Sequence, residues 1–132
     1  MDLLNAEFLK HNIEIKKEFG SLRLDIRGDK KQLKQVFLNI FLNSIEAMPD
    51  EGIITIGTEE KGGNILTSIA DTGPGIPKQN LNRIFDPFFT TKETGTGLGL
   101  SIANGIIREH HGKIEIVSRP GAKTTVKIYL RK

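Results

Sequence analysis

Residues 29–48 carry the pattern that most restricts how this chain can fold. Leu33, Val36, Phe37, Ile40, Phe41, Ala47 and Met48 recur at helical spacing, and Leu38, Leu42 and Ile45 lay a second stripe beside them. A helix apolar over most of its circumference has to be packed deeply, so a second layer must cover it. Asp29 opens this helix as an N-cap, with Gln32 three positions on in a capping-box arrangement, and the helix stops before Pro49. The covering layer comes from short runs that alternate with period two. Residues 12–18 alternate around Ile13 and Ile15, and residues 22–26 through Leu22, Leu24 and Ile26, joined at Gly20. Residues 53–60 and 65–71 flank a Lys61-Gly62-Gly63-Asn64 turn, and 113–118 with 124–130 form a closing hairpin. A further helix is expected over 97–111, with Gly112 as its C-cap. Paired strands with few helices predict an α+β two-layer sandwich, a mixed but mainly antiparallel sheet covered on one face by helices.

A chain of 132 residues forms one domain, and a domain of that size removes roughly two-thirds of its unfolded surface from water. The short stretch with Leu3, Leu4, Phe8 and Leu9, within residues 1–11, reads as the tail of an upstream helix, so a piece of a longer protein is expected. An apolar fraction of 37% and a charged fraction of 27% exclude a disordered or membrane-embedded chain. No signal peptide is visible, and no apolar run reaches the roughly 20 residues of a membrane span. The absence of cysteine excludes disulfides and thiolate metal sites and fits the cytoplasm. The net charge of +3 is mild and scattered, and basic stretches without interleaved aromatics argue against nucleic acid. A phosphate-rich small ligand or an acidic protein partner suits the same charge.

Three segments carry chemistry. Asn39, Asn43 and Glu46 fall on one line of the first helix. Such a line is either a solvated face or a polar strip facing a ligand cavity, where an Asn carbonyl would suit one position of an octahedral Mg²⁺. Asp71-Thr72-Gly73-Pro74-Gly75 ends a strand; the pattern is a common turn, but an ionised Asp there can also accept a hydrogen bond from the exocyclic amine of adenine. Finally, Gly95, Gly97 and Gly99 lead into a helix, where unpaired N–H groups and the helix dipole favour phosphate. A Walker A loop and a dinucleotide fingerprint both fit poorly, because Gly112-Lys113 lacks their context and the glycines here are spaced Gly-x-Gly-x-Gly. Residues 72–96 hold little regular structure beyond one helical turn around 80–85, and so long a loop in a small domain is commonly a functional lid. Its Phe and Lys residues then read as moving parts rather than core.

Taken in order, these segments resemble the catalytic ATP-binding domain of sensor histidine kinases, within the gyrase, chaperone, histidine-kinase and mismatch-repair ATPase superfamily. The resemblance runs over residues 28–130. Asn39 and Asn43 match the N box; Asp71, Gly73 and Gly75 the G1 box; Phe85, Phe88 and Phe89 the F box; and Gly95, Gly97 and Gly99 the G2 box. NSIEAMP and FDPFFTTK are similar in wording to nitrogen-regulation and sporulation sensor kinases. The resemblance implies a Bergerat-type fold that binds ATP or ADP with Mg²⁺. Asn43 would hold the metal and Asn39 would lie near the phosphates, with Asn39 and Lys92 taking the catalytic roles. Asp71, with Gly73, Gly75 and Ile76, would hold adenine. Arg83, Phe85 and Lys92 would come from the lid, and Gly95, Thr96, Gly97, Leu98, Gly99 and Leu100 would cradle phosphate. The last family motif reads Gly121-Ala122-Lys123-Thr124 and lacks its second glycine, which weakens Thr124 as a contact near the base.

Asn39 stands where the chaperone and gyrase branches carry a Glu that activates water. An amide is no general base at neutral pH, so the γ-phosphoryl should be kept for another acceptor. None of His11, His110 and His111 has the sequence context of an acceptor; the last two read as cations at a helix C-terminus. The resemblance therefore implies an acceptor His on a separate helical dimerisation domain and a response regulator downstream. It also implies a monomeric isolated domain, a homodimeric full-length kinase, and a cytoplasmic location even if that kinase is membrane-anchored. A free-standing anti-sigma-factor serine kinase and a non-catalytic nucleotide-binding module are the alternatives.

Overall fold

The computed structural model describes residues 13–19, 30–48, 50–76, 78–81, 83–86, 99–119 and 123–131. In chain order these form β1 (Ile13–Phe19), α1 (Lys30–Ala47), β2 (Gly52–Lys61), β3 (Asn64–Asp71), a 3-10 turn (Lys78–Asn80), α2 (Gly99–Glu109), β4 (Lys113–Arg119) and β5 (Lys123–Arg131). The strands make one sheet in the order β1-β2-β3-β5-β4. β1 runs parallel to β2, and every other neighbouring pair is antiparallel. The expected mixed α+β sheet is therefore present. The expected strand at 22–26, the Asp29 cap and the stretch 1–11 lie outside the described residues.

The core follows from the two periodicities. In the β3–β5 ladder Ile65 faces Leu130, Thr67 faces Ile128 and Ile69 faces Val126. Directly opposed residues point to the same face of a sheet. That face meets Val36, Ile40, Phe41 and Ile45 of α1 and Ala103 and Ile107 of α2 in one cluster, to which β2 adds Ile54 and β4 adds Ile114. Burying each large aliphatic side chain contributes roughly 1.5–3 kcal/mol, so this seam holds the helices to the sheet. The second stripe of α1 behaves as expected: Ile45 is in the core, with Leu38 and Leu42 packed against its margin.

Two local expectations need correction. The helical turn expected around 80–85 begins earlier, as the 3-10 turn Lys78–Asn80, and continues through turns closed by Arg83 N–H on Asn80 O (2.9 Å) and Asp86 N–H on Arg83 O (3.0 Å). At the end of α2 the left-handed residue is His111 (φ 59°), not Gly112. Gly112 N–H donates to Ile107 O (2.9 Å) and His111 N–H to Arg108 O (3.0 Å), which makes a Schellman motif with His111 at C′. Both His110 and His111 thus sit at the helix C-terminus, and the His110 ring nitrogen Nδ1 lies 2.8 Å from Ile106 O.

The opposite sheet face is more polar. Lys113 Nζ lies 2.6 Å from Glu115 Oε1, and the Tyr129 hydroxyl donates to Glu115 Oε2 at 3.3 Å. The hydrogen bond from Lys113 pulls the Glu115 carboxyl below its usual range and raises the Lys113 amine. Lost hydration, then the Glu115 charge, raises the Tyr129 phenol.

Candidate functional site

At the C-terminal end of β3 the inward rows of the sheet change from apolar to polar. Ile54 faces Asp71, Asp71 faces Thr124, and Thr124 faces Ser118. All four side chains therefore belong to the helix-covered face, and three are polar. Asp71 is only 6% exposed and Thr124 9%. A carboxylate so placed needs hydrogen bonds to be tolerated. Its Oδ1 accepts the Gly73 N–H at 2.9 Å, which curls the chain after the strand into an Asx turn. A Cβ at position 73 would stand 3.0 Å from that oxygen and 3.2 Å from Ala47 Cβ, so the turn closes against the end of α1. Gly75 follows with φ 78°.

Two hydroxyls pin this loop to the sheet. Thr72 N–H donates to Ile53 O at 3.2 Å, while Thr72 Oγ1 accepts the Ile53 N–H at 3.1 Å and donates to Met48 Sδ at 3.5 Å. Ser118 Oγ accepts the Ile76 N–H at 2.6 Å. It also donates to Lys123 O at 3.3 Å and lies 3.2 Å from Thr124 Oγ1.

The amides of α1 are the second set of expected site residues. Asn39 is half-buried; its Nδ2 donates to Gly99 O at 3.1 Å and its Oδ1 accepts from Gln35 Nε2 at 2.8 Å. A carbonyl can only accept, so Gly99 O fixes which end of the Asn39 amide faces it. The NH₂ group carries two hydrogens, and one of them remains to be offered beyond Gly99. Asn39 thus ties α1 to the first residue of α2, where the Gly-rich segment ends. Asn43 lies one turn further along the same face and is half-buried, whereas Glu46 is exposed. The polar line is therefore partly covered rather than wholly solvated.

The other expected site residues divide into three groups. Gly99 and Leu100 are half-buried at the start of α2, and Arg83 is exposed after the 3-10 turn. Phe85 is half-buried and packs against the core, so at this position core packing replaces the moving part expected. Lys92, Gly95, Thr96, Gly97 and Leu98 lie outside the described residues, as do Phe88, Phe89, Gly121 and Ala122. Thr124, despite the missing glycine, is buried beside Asp71. Among the described residues no group of three or more His, Cys, Asp or Glu comes together to hold a metal. A hard divalent ion here would rely chiefly on the oxygens of its ligand and on water, with Asn43 the side chain expected to add a neutral oxygen.

Sequence reasoning missed Ser118, Thr72 and Gln35. Ser118 carried a signal: it falls on the inward parity of β4 with Ile114 and Ile116, where a hydroxyl breaks the apolar pattern.

Residues 28–132 match the family described as histidine kinase-, DNA gyrase B-, and HSP90-like ATPase. Sporulation kinase C of Bacillus subtilis is 43% identical over 97% of this chain and 30% of its own length. Sensor histidine kinase ZraS of Escherichia coli is 34% identical over 98% of this chain and 28% of its own length. The chain thus spans less than a third of these relatives. Among solved structures, the nucleotide-free catalytic domain of histidine kinase ThkA superposes with a TM-score of 0.89 at 36% identity, covering 99% of this chain and 86% of that one. Full-length ShkA, solved in complex with AMPPNP, gives 0.87 at 26% identity over 98% of this chain and 27% of that one.

Proposed function

The chain belongs to the histidine kinase-, DNA gyrase B-, and HSP90-like ATPase family, and from that membership we propose that it is the phosphoryl-donor domain of a two-component sensor kinase. The observation that carries the proposal is the Asp71–Thr124–Ser118 row: a buried carboxylate at the end of a strand, beside a loop closed on α1. In this reading the Asp71 carboxylate accepts the adenine amine, with Gly73, Gly75, Ile76 and Thr124 shaping the base pocket. Asn39 offers its remaining N–H to the phosphates, and Asn43 is the protein ligand of Mg²⁺. Arg83 and Lys92 add positive charge from the lid, and the segment 95–100 cradles phosphate. Bound Mg²⁺ would supply neutralisation of phosphate charge.

Phosphoryl transfer needs a His acceptor on a helical dimerisation domain, and a response regulator would receive the group next. Sensor-kinase relatives favour this over a free-standing serine kinase. We place the domain in the cytoplasm; among the described residues no helix is long and apolar enough to cross a membrane.

The test is to supply γ-labelled ATP together with a separate helical acceptor domain. Label should reach the acceptor His, while the chain alone should show negligible steady-state ATP hydrolysis, as expected where no side chain acts as general base toward water. Brisk hydrolysis without transfer would count against the kinase reading. Asn43→Ala should abolish the gain in ATP affinity that Mg²⁺ confers, measured by calorimetry with and without the ion. An undiminished gain would remove Asn43 as a ligand.

A further inference from the structure

We infer that Ser118 is the positioning residue of the base pocket. The inference rests on the nucleotide-binding reading above and goes beyond it, because Ser118 belongs to none of the motifs that support that reading. It lies on β4, the strand furthest from β1, yet its Oγ holds the loop that leaves β3: the Ile76 N–H reaches it at 2.6 Å. Ile76 follows Gly75, whose positive φ turns the chain, so the bond fixes the loop five residues past the end of β3. The same oxygen stands 3.2 Å from Thr124 Oγ1, and its hydrogen reaches Lys123 O at 3.3 Å.

A hydroxyl has one hydrogen and two lone pairs. With its hydrogen on Lys123 O and one lone pair taken by Ile76 N–H, Ser118 accepts the Thr124 hydroxyl on the other. All of its capacity is then used, and both walls of the pocket, the loop and Thr124, are set by one atom. Ser118 itself is not placed to touch the ligand in this arrangement; it acts through Ile76 and Thr124. Its loss leaves an N–H and a hydroxyl without their partner and lets the loop move relative to Asp71.

The experiment is calorimetric titration of the chain and its Ser118 variants with ATP, ADP and AMP, well below each melting temperature. Ser118→Ala should weaken all three by a common factor of roughly ten, the scale of one to two lost hydrogen bonds. A shared factor localises the loss to the adenosine half. Ser118→Thr keeps the hydroxyl and should bind as the unsubstituted chain does, whereas the similarly shaped Ser118→Val should resemble Ser118→Ala. Equal affinity of the Thr and Val variants, or a loss that grows with phosphate number, would overturn the role of Ser118. If the unsubstituted chain bound none of the three nucleotides, the nucleotide reading itself would fall, and this inference with it.

Discussion

Asp71→Asn is expected to weaken ATP binding by roughly 30- to 150-fold, about 2–3 kcal/mol, the worth of a hydrogen bond to a charged acceptor. The substitution is nearly isosteric. Asn retains an oxygen that can take the Gly73 N–H now held by Oδ1 at 2.9 Å, so the Asx turn survives. What changes is the rest of the group: an acceptor-only carboxylate becomes a carbonyl and an NH₂. In the proposed pocket that NH₂ would meet the adenine amine donor to donor, with no room to escape at a position only 6% exposed. Removing a buried charge does not harm the fold in itself, so the melting temperature should move by no more than about 4 °C. Calorimetry with ATP, paired with a thermal melt, checks both halves. Unchanged affinity would sink Asp71 as the adenine reader. A collapsed melting temperature would show that the carboxylate serves the fold instead.

How far the sequence foretold this molecule depends on the range of the interaction. α1 was legible because Leu33, Val36, Ile40 and their neighbours repeat at a period only a helix satisfies, and the helix extends from Lys30 to Ala47 as expected. The β2–β3 hairpin was legible because Gly62 and Gly63 both adopt positive φ between Lys61 and Asn64. The neighbour of β3 on its other side was not. β5 inserts between β3 and β4, a pairing set by distant segments that no local pattern encodes. The candidate site divides in the same way. Asp71 and Asn39 stood out as polar groups in apolar settings. Gln35 looked like ordinary helix surface, although its amide holds Asn39 in place. Ser118 broke the apolar pattern of its strand, but its role was hidden because its partner Ile76 is 42 positions away.

The end of α2 shows how tertiary packing overrides a local preference, and it makes a sharp prediction. Glycine is the usual left-handed residue after a helix, which is why Gly112 was expected there. The structure instead gives that conformation to His111, where an L side chain is disfavoured by roughly 1–2 kcal/mol. Gly112 is required one position later for a different reason. A Cβ on it would be driven into the carbonyl oxygen of Tyr129 and would stand 3.0 Å from Ile107 Cγ2 and 3.2 Å from Leu130 Cδ2. The carbonyl belongs to β5, and Ile107 and Leu130 belong to the core, so none of the three can yield cheaply. Gly112→Ala should therefore destabilise the chain by about 3 kcal/mol, the upper range for forcing atoms into packed space. His111→Gly should have the opposite sign, a gain of about 0.5–1 kcal/mol once glycine's extra backbone entropy is set against the relieved strain. Urea denaturation of the two variants would decide between the explanations. A neutral Gly112→Ala would show that the close passage of β5 over this turn is wrong, and a harmful His111→Gly would show that His111 does not hold the left-handed conformation.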